Sequence, residues 1–380
     1  MSIDKSDLLY EIRRFAAEVV GLAAPSWAKG RAPDPVLFRK AADLGLFRLQ
    51  VPHSEGGLGM GFMHKAYACK ALAAADFGFA MSVVNTHNVA ARIASSGSDE
   101  TRASFLPALL WGESSACTAL TEPAAGSDIA AMQTRATKAG GKWVLNGEKC
   151  WIVNARHAST AIVYAQTADQ GDIDGIAAFV VDLTASGCRR YATSSDFAQS
   201  SAGTGGFVLT DLTLPEANMI LAPGQGFRSI MEEINGARTY VAAMCCGMME
   251  AGLRHASAHG ASRRAFGKPL SAHQGWRIPL ARAETALAAA RALTDIAIAA
   301  VHAGHDAQLQ AALAKVAATD AATTHLPALL HAMGAEGLDT RYPMARHLAA
   351  AQIATLVDGS TEMLLERIAR LARPIPHTSN

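Results

Sequence analysis

The sequence predicts an α+β protein of three domains: N-terminal helices over residues 1–113, a middle antiparallel β domain over 114–225, and C-terminal helices over 226–380. Three observations predict it. Apolar residues change from helical spacing to short alternating or β-branched runs and back again along the chain. At 380 residues the chain is long enough for two or three packed cores. Half of its residues are apolar, few are aromatic and alanine is abundant, a mixture that suits long, closely packed helices.

The elements follow in order. Helical spacing runs from Ser6 to about Leu110, broken at Pro25, Pro33-Asp34-Pro35, Pro52 and the glycine-rich connection Gly56-Gly57-Leu58-Gly59. Lys142 to Leu145, then Asn146-Gly147, then Glu148 to Asn154 predicts a hairpin, because Asn-Gly suits a two-residue type I′ turn. Further strands are predicted at Ala161–Tyr164, Ile176–Val181 and Phe207–Leu212, with a loop at Gly171–Gly175. Helical spacing returns at Phe227 and lasts to Leu371, enough for four or five long helices. Gly260, Pro269, Gly304, Gly334 and Gly337 punctuate it, and Pro327 is expected to kink or begin a helix.

Composition excludes several classes. A net charge of +1 gives no reason to expect nucleic acid or an anionic membrane as a partner. The six cysteines show no CxxC spacing and read as buried thiols of a reducing compartment. Met1–Val20 reads as an amphipathic helix without the apolar core of a signal peptide, and no window holds some twenty uninterrupted apolar residues. A cytoplasmic protein is expected. No metal site is expected: His255 and His259 lack a third ligand, as do His302 and His305. No Gly-x-Gly-x-x-Gly follows a strand, so a Rossmann site is not indicated.

The most informative segment is Thr121-Glu122-Pro123-Ala124-Ala125-Gly126-Ser127-Asp128. It concentrates hydroxyls, a glycine and backbone amides, chemistry that suits a pyrophosphate and the polar edge of a flavin. With Ala119-Leu120 before it, the segment resembles the signature of the acyl-CoA dehydrogenase family. Three further places carry the same resemblance. Lys149-Cys150-Trp151-Ile152-Val153-Asn154 matches the segment whose tryptophan lies beside the flavin, though on spacing alone Trp151 also reads as a core aromatic. Arg263-Arg264-Ala265-Phe266-Gly267-Lys268-Pro269-Leu270 with Gln274 matches a motif that reaches a neighbouring subunit's flavin; on spacing it is also a helix–turn–helix corner. Val357-Asp358-Gly359-Ser360-Thr361-Glu362 matches the catalytic loop.

The resemblance covers nearly the whole chain, and it implies the order helices, antiparallel sheet, four-helix bundle. It implies FAD as cofactor, bound through Leu120, Thr121, Gly126, Ser127, Trp151, Ile152, Val153, Arg263, Phe266, Gln274, His331, Met333, Gly334, Ala335, Ser360 and Glu362. Ser127, Asn235, Arg238 and Gly359 are implied substrate contacts, and Asp358 the catalytic base. The partners implied are an acyl-CoA or acyl-carrier-protein thioester, an electron-transfer flavoprotein-like acceptor, and copies of the same chain in a dimer or tetramer. The sequence departs from the family pattern at five positions. Val153 stands where Thr or Ser is usual, Asn235 where Asp is usual, and His331 and Ala335 where Gln and Gly are usual. The base position holds Asp358 instead of Glu, shorter by one C–C bond, about 1.5 Å. A misplacement of that size lowers a rate by about a hundredfold unless the loop or the substrate compensates. The reaction implied is removal of an α-proton by Asp358 and of a β-hydride by flavin N5. The alternatives are a flavin oxidase of an acidic C–H substrate such as a nitroalkane, for which an aspartate base is natural, and a non-catalytic flavin- or acyl-binding homologue.

Overall fold

The computed structural model describes residues 5–372. The N-terminal helices are α1 (Lys5–Phe15), α2 (Gly21–Trp27), α3 (Pro35–Asp43), α4 (Phe62–Ala73), α5 (Phe77–Ser96) and α6 (Asp99–Leu110). The strands β1 (Ala116–Ala119), β2 (Arg135–Ala139), β3 (Lys142–Ile152), β4 (Thr160–Gln166), β5 (Ile176–Asp182), β6 (Cys188–Ala192), β7 (Gly205–Pro215) and β8 (Met219–Leu221) follow. Next come α7 (Gly226–Ser262), a small hairpin of β9 (Arg264–Ala265) and β10 (Lys268–Pro269), α8 (Gln274–His302), α9 (Gln308–Met333), α10 (Met344–Leu356) and α11 (Thr361–Ala372).

By contact the chain divides into two compact units. One draws on Gly30–Gly61 and Gly78–Glu233 and holds the sheet. Its eight strands run in the order β6-β7-β3-β2-β4-β5-β8, with β1 also on β4. The sheet is antiparallel as expected, except that β1 and one residue pair of β2 run parallel to β4. Every residue of β4 is buried, because both faces of the sheet are covered there. Ala161, Val163 and Ala165 join Trp143, Leu145, Phe179 and Phe207 on one face. Ile162 and Tyr164 join Val89, Ile93, Leu106 and Leu109 of α5 and α6 on the other.

The hairpin turn differs from expectation. It is Gly140-Gly141, with φ of 56° and 75°, the left-handed pair that a type I′ turn requires. This turn pairs Ala136 with Leu145, and both are buried in the core. Asn146-Gly147 instead lies inside β3, where the register against β7 slips between Leu145 and Gly147. Asp211 of β7 takes φ 49° at that bulge. Asn146 holds it: Nδ2 donates to Asp211 Oδ1 at 3.1 Å, and the Asp211 amide donates to Asn146 Oδ1 at 2.8 Å. A Cβ on Gly147 would lie 2.5 Å from Thr134 Oγ1.

The other unit draws on the described parts of Met1–Lys29, Phe62–Phe77 and Ile234–Asn380. It is a helical assembly that takes in α1, α2 and α4 as well as the C-terminal helices, with α9 packed against α8, α10 and α11. Ala311, Ala314, Ala318 and Ala322 of α9 are buried, and their small side chains admit close neighbours. Pro327 lies within α9. Two expected breaks are absent. Pro25 sits inside α2, where burial of Ala24 and Trp27 holds the turn despite the missing amide. Gly260 lies inside α7, where a Cβ would strike the Trp276 ring at 2.1 Å; it permits a close approach of α8. Among the described residues, α8 alone is long and apolar enough by length and composition to cross a membrane. Arg277, Arg282, Glu284, Arg291 and Asp295 interrupt its apolar run, which is why no uninterrupted window is visible in the sequence.

Candidate active site

Three groups of the expected site residues are assembled by the fold. The first is in the sheet unit. β1 ends at Ala119, and the chain turns back on itself through reciprocal backbone bonds between Glu122 and Ala125, at 2.9 and 3.2 Å. This turn leaves Gly126 and Ser127 exposed. Among the described residues their amides have no acceptor, and a Cβ on Gly126 would meet nothing within 4 Å. The Thr121 carbonyl accepts from Cys150 N at 3.1 Å, which ties the turn to the end of β3.

At that end, β3 slips register against β7 between Lys149 and Ile152. The bulge puts Trp151 at φ 56° with the residue 64% exposed, while Ile152 is buried and Val153 half-buried. Left-handed backbone in a tryptophan and an uncovered ring are both unfavourable, so the surrounding structure must impose them. Asn154, at φ 70°, supplies part of that: its Nδ2 donates to the carbonyls of Ser82 (2.9 Å) and Ala116 (2.8 Å), and its Oδ1 accepts from Ser82 Oγ.

Beneath the turn lies a pair that sequence reasoning missed. The Lys149 ammonium donates to Glu122 Oε1 at 2.7 Å and to the Leu120 carbonyl at 3.0 Å, with both side chains buried. Glu122 also accepts from the amides of Gln133 (2.6 Å) and Thr134 (3.0 Å). Burial alone would raise the Glu122 carboxyl, but Lys149 and the added hydrogen bonds outweigh it and hold the group below its usual range. Lys149 has fewer compensations, and burial brings it down to about 8. A signal for the pair is present in the sequence: Lys149 is in phase with Trp143 and Leu145, so it points to the core, where a cation needs a carboxylate.

The second group is in the helical unit. The loop between α10 and α11 carries Val357, Asp358, Gly359 and Ser360, with Asp358 at φ 55° and Gly359 at φ 102°. Arg238 of α7 donates from Nε to the Asp358 carbonyl at 3.0 Å and from Nη1 to Asn235 Oδ1 at 3.1 Å. Residues three apart on a helix share a face, which is why Asn235 and Arg238 meet. Lys315 of α9 donates to the carbonyls of Val357 and, at 2.6 Å, Gly359. Asp358 as a whole is only half-buried, yet its Oδ2 is withdrawn from solvent and has no hydrogen-bond partner among the described residues. Burial raises its pKa, against the opposing pull of Lys315 and Arg238. Ser360 and Glu362 lie where the loop enters α11; Glu362 is exposed. Lys315 was also missed. Its signal is a lone charge within the buried stripe Ala311, Ala318 and Ala322.

The third group lines a cavity of about 500 Å³ formed by α7, α8 and the end of α9. Arg263, His331, Met333, Gly334 and Ala335 are on its wall, with Trp276 fixed by a 2.9 Å bond from Nε1 to the Ala332 carbonyl. Gln274 opens α8 outside that lining. Phe266 is at the tip of the β9–β10 hairpin at φ 50°, 96% exposed. Its carbonyl neighbour Gly267, at φ 80°, accepts from Arg264 Nη2 at 2.8 Å.

Models of the acyl-CoA dehydrogenase N-terminal, middle and C-terminal domains match residues 3–113, 117–212 and 224–372. The mitochondrial short-chain specific acyl-CoA dehydrogenase of Homo sapiens is 31% identical over 358 residues, 94% of this chain and 87% of that protein. Butyryl-CoA dehydrogenase from Megasphaera elsdenii superimposes with a TM-score of 0.90 at 29% identity, covering 98% of this chain and 100% of that one. A glutaryl-CoA dehydrogenase from Mycobacterium smegmatis, in complex with FADH2, gives 0.91 at 26% identity over 100% of this chain and 97% of its own. On motif, fold and sequence alike, the chain belongs to the acyl-CoA dehydrogenase family.

Proposed function

We propose that this chain is an FAD-dependent dehydrogenase that introduces an α,β double bond into an acyl thioester, with Asp358 as the base. It is an oxidoreductase of the type that acts on CH–CH donors. The observation that carries the reading is the Asp358 carboxyl: a dry oxygen with no internal partner, on a left-handed loop gripped from two helices. A carboxylate that serves only the fold is expected to be fully hydrogen-bonded. One left unpaired and raised in pKa is suited to accept a proton from a weakly acidic carbon.

The sheet unit fits a flavin. Exposed amide donors at Gly126 and Ser127 and open space beside the glycine admit an anion, and the uncovered Trp151 ring offers a face to a flat heterocycle. When bound, the flavin supplies the acceptor for the β-hydride. Asp358 takes the α-proton on Oδ2, and Arg238 holds the backbone of that residue in place. Asn235 and Gly359 are proposed to contact the thioester, as is Ser127. Leu120, Thr121, Ile152, Val153, Ser360 and Glu362 complete the proposed flavin contacts of one chain.

A homo-oligomer is part of the proposal. A phenylalanine 96% exposed at a hairpin tip is free to meet another chain, and the cavity beside it places the Arg263 guanidinium and His331 on a largely apolar wall, which suits a partner's cofactor. We further propose a cytoplasmic setting, an acyl-CoA or acyl-carrier-protein substrate and an electron-transfer flavoprotein-like acceptor. The aspartate at the base position also suits an oxidase of a more acidic carbon. Anaerobic mixing of the purified flavoprotein with a panel of acyl-CoA thioesters, acyl-carrier thioesters and nitroalkanes separates the two. Bleaching of oxidised flavin by a thioester supports the dehydrogenase. Bleaching by nitroalkanes alone, with peroxide formed in air, supports the oxidase. A preparation that takes up no flavin contradicts both.

A further inference from the structure

We propose that Lys315 is a positioning residue for Asp358: its ammonium, bonded to the carbonyls on both sides of that residue, holds the loop in the turn that keeps one carboxyl oxygen unpaired. The inference rests on the reading of Asp358 as the base. The Val357 and Gly359 carbonyls both accept from Lys315 Nζ, so a single buried cation closes the backbone around Asp358 like a clasp. Left-handed backbone in a non-glycine residue is unfavourable and persists only where neighbours over-determine it. Arg238 contributes a second grip through the Asp358 carbonyl. Three consecutive carbonyls, of Val357, Asp358 and Gly359, thus face cations from α9 and α7.

The same ammonium lies within electrostatic reach of the Asp358 carboxyl without forming an ion pair. Its charge opposes the burial that raises the Asp358 pKa. The charged and titratable groups around the site are Lys315 of α9, Arg238 and Cys245 of α7, and Arg367 of α11, which faces Arg238. Lys315 carries the positive charge bound to the loop on both flanks of Asp358. Removing it is expected to loosen the turn and to raise the Asp358 pKa further.

The test uses Lys315→Met and Lys315→Gln in the full-length flavoprotein, with Asp358→Asn as reference. Two readouts are taken: the anaerobic rate of flavin reduction against pH with butyryl-CoA, and urea stability against pH for the single and double variants. With flavin content unchanged, Lys315→Met is expected to reduce flavin at least about tenfold more slowly. Its acid limb is expected to move up by about one pH unit. In the stability cycle, the gain from Asp358→Asn at neutral pH is expected to be larger in the Lys315→Met background than in the parent. An Asp358→Asn variant as fast as the parent overturns the base reading itself. A slow Asp358→Asn variant beside a parent-like Lys315→Met, with no coupling between the two in stability, overturns the role of Lys315 alone. Loss of the fold in both lysine variants also overturns it, since Lys315 then serves the fold and not the base.

Discussion

Two of the carboxylates that this protein withdraws from water are used in opposite ways. Glu122 in the sheet unit has a lysine at 2.7 Å and two backbone amides on its oxygens. Asp358 in the helical unit has two cations nearby, but Lys315 donates to backbone carbonyls and Arg238 to a backbone carbonyl and to Asn235 Oδ1, and Asp358 Oδ2 has no partner among the described residues. Each arrangement includes a buried lysine. Lys149 neutralises its carboxylate, whereas Lys315 shapes the chain around one. The comparison separates a charge that serves the fold from a charge kept available for chemistry. Satisfied groups are held, and unsatisfied ones are costly to hold and therefore point to function.

The contrast makes the same conservative change act with opposite signs. Glu122→Gln removes one half of a buried pair and leaves Lys149 uncompensated. It is expected to destabilise the protein by about 3–5 kcal/mol at neutral pH, measured by urea unfolding. Because the Glu122 pKa is depressed in the fold, its contribution is present above the ordinary value of 4.5 and is lost as pH falls through the folded value. The gap between parent and Glu122→Gln should therefore narrow in acid. Asn154→Ala, which strips the anchor behind Trp151, is expected to be destabilising by about 1–3 kcal/mol in the same assay and to weaken flavin retention.

Asp358→Asn is expected to be more stable than the parent at neutral pH. The folded Asp358 pKa is raised, so its favourable contribution is complete below the ordinary 3.8 and lost as pH rises through the folded value. Asparagine, always neutral, escapes that loss, and the two proteins should converge in strong acid. A destabilised Asp358→Asn at pH 7 would break the comparison by making Asp358 a structural group like Glu122. The smallest effect on stability is expected for Phe266→Ala, within about 0.5 kcal/mol, since the side chain touches little in its own chain. Loss of flavin or of the oligomer in that variant, detected by absorbance and sedimentation, would sharpen the assignment of the hairpin to a neighbour.

Much of this was legible in the sequence, and the failures have physical causes. The change of apolar period revealed the helix–sheet–helix order because both faces of β4 and one face of each long helix are buried. Asn146-Gly147 misled because left-handed and strained backbone is needed at bulges as well as at turns, and the Gly140-Gly141 pair before it met the turn requirement. Trp151 could not be assigned to core or surface by spacing, since the bulge that exposes it depends on pairing with β7. Lys149 and Lys315 escaped notice for a related reason. Each is a single polar residue inside an apolar pattern, and its partners are far along the chain: Glu122 for the first, Val357 and Gly359 for the second.

The central claim is that the Asp358 carboxyl takes a proton from the carbon next to a thioester. Single-turnover bleaching of the flavin by butyryl-CoA under anaerobic conditions, parent against Asp358→Asn, tests it most directly. With flavin content and fold unchanged, the asparagine variant should bleach at least about a hundredfold more slowly. Equal rates in the two proteins would contradict the account.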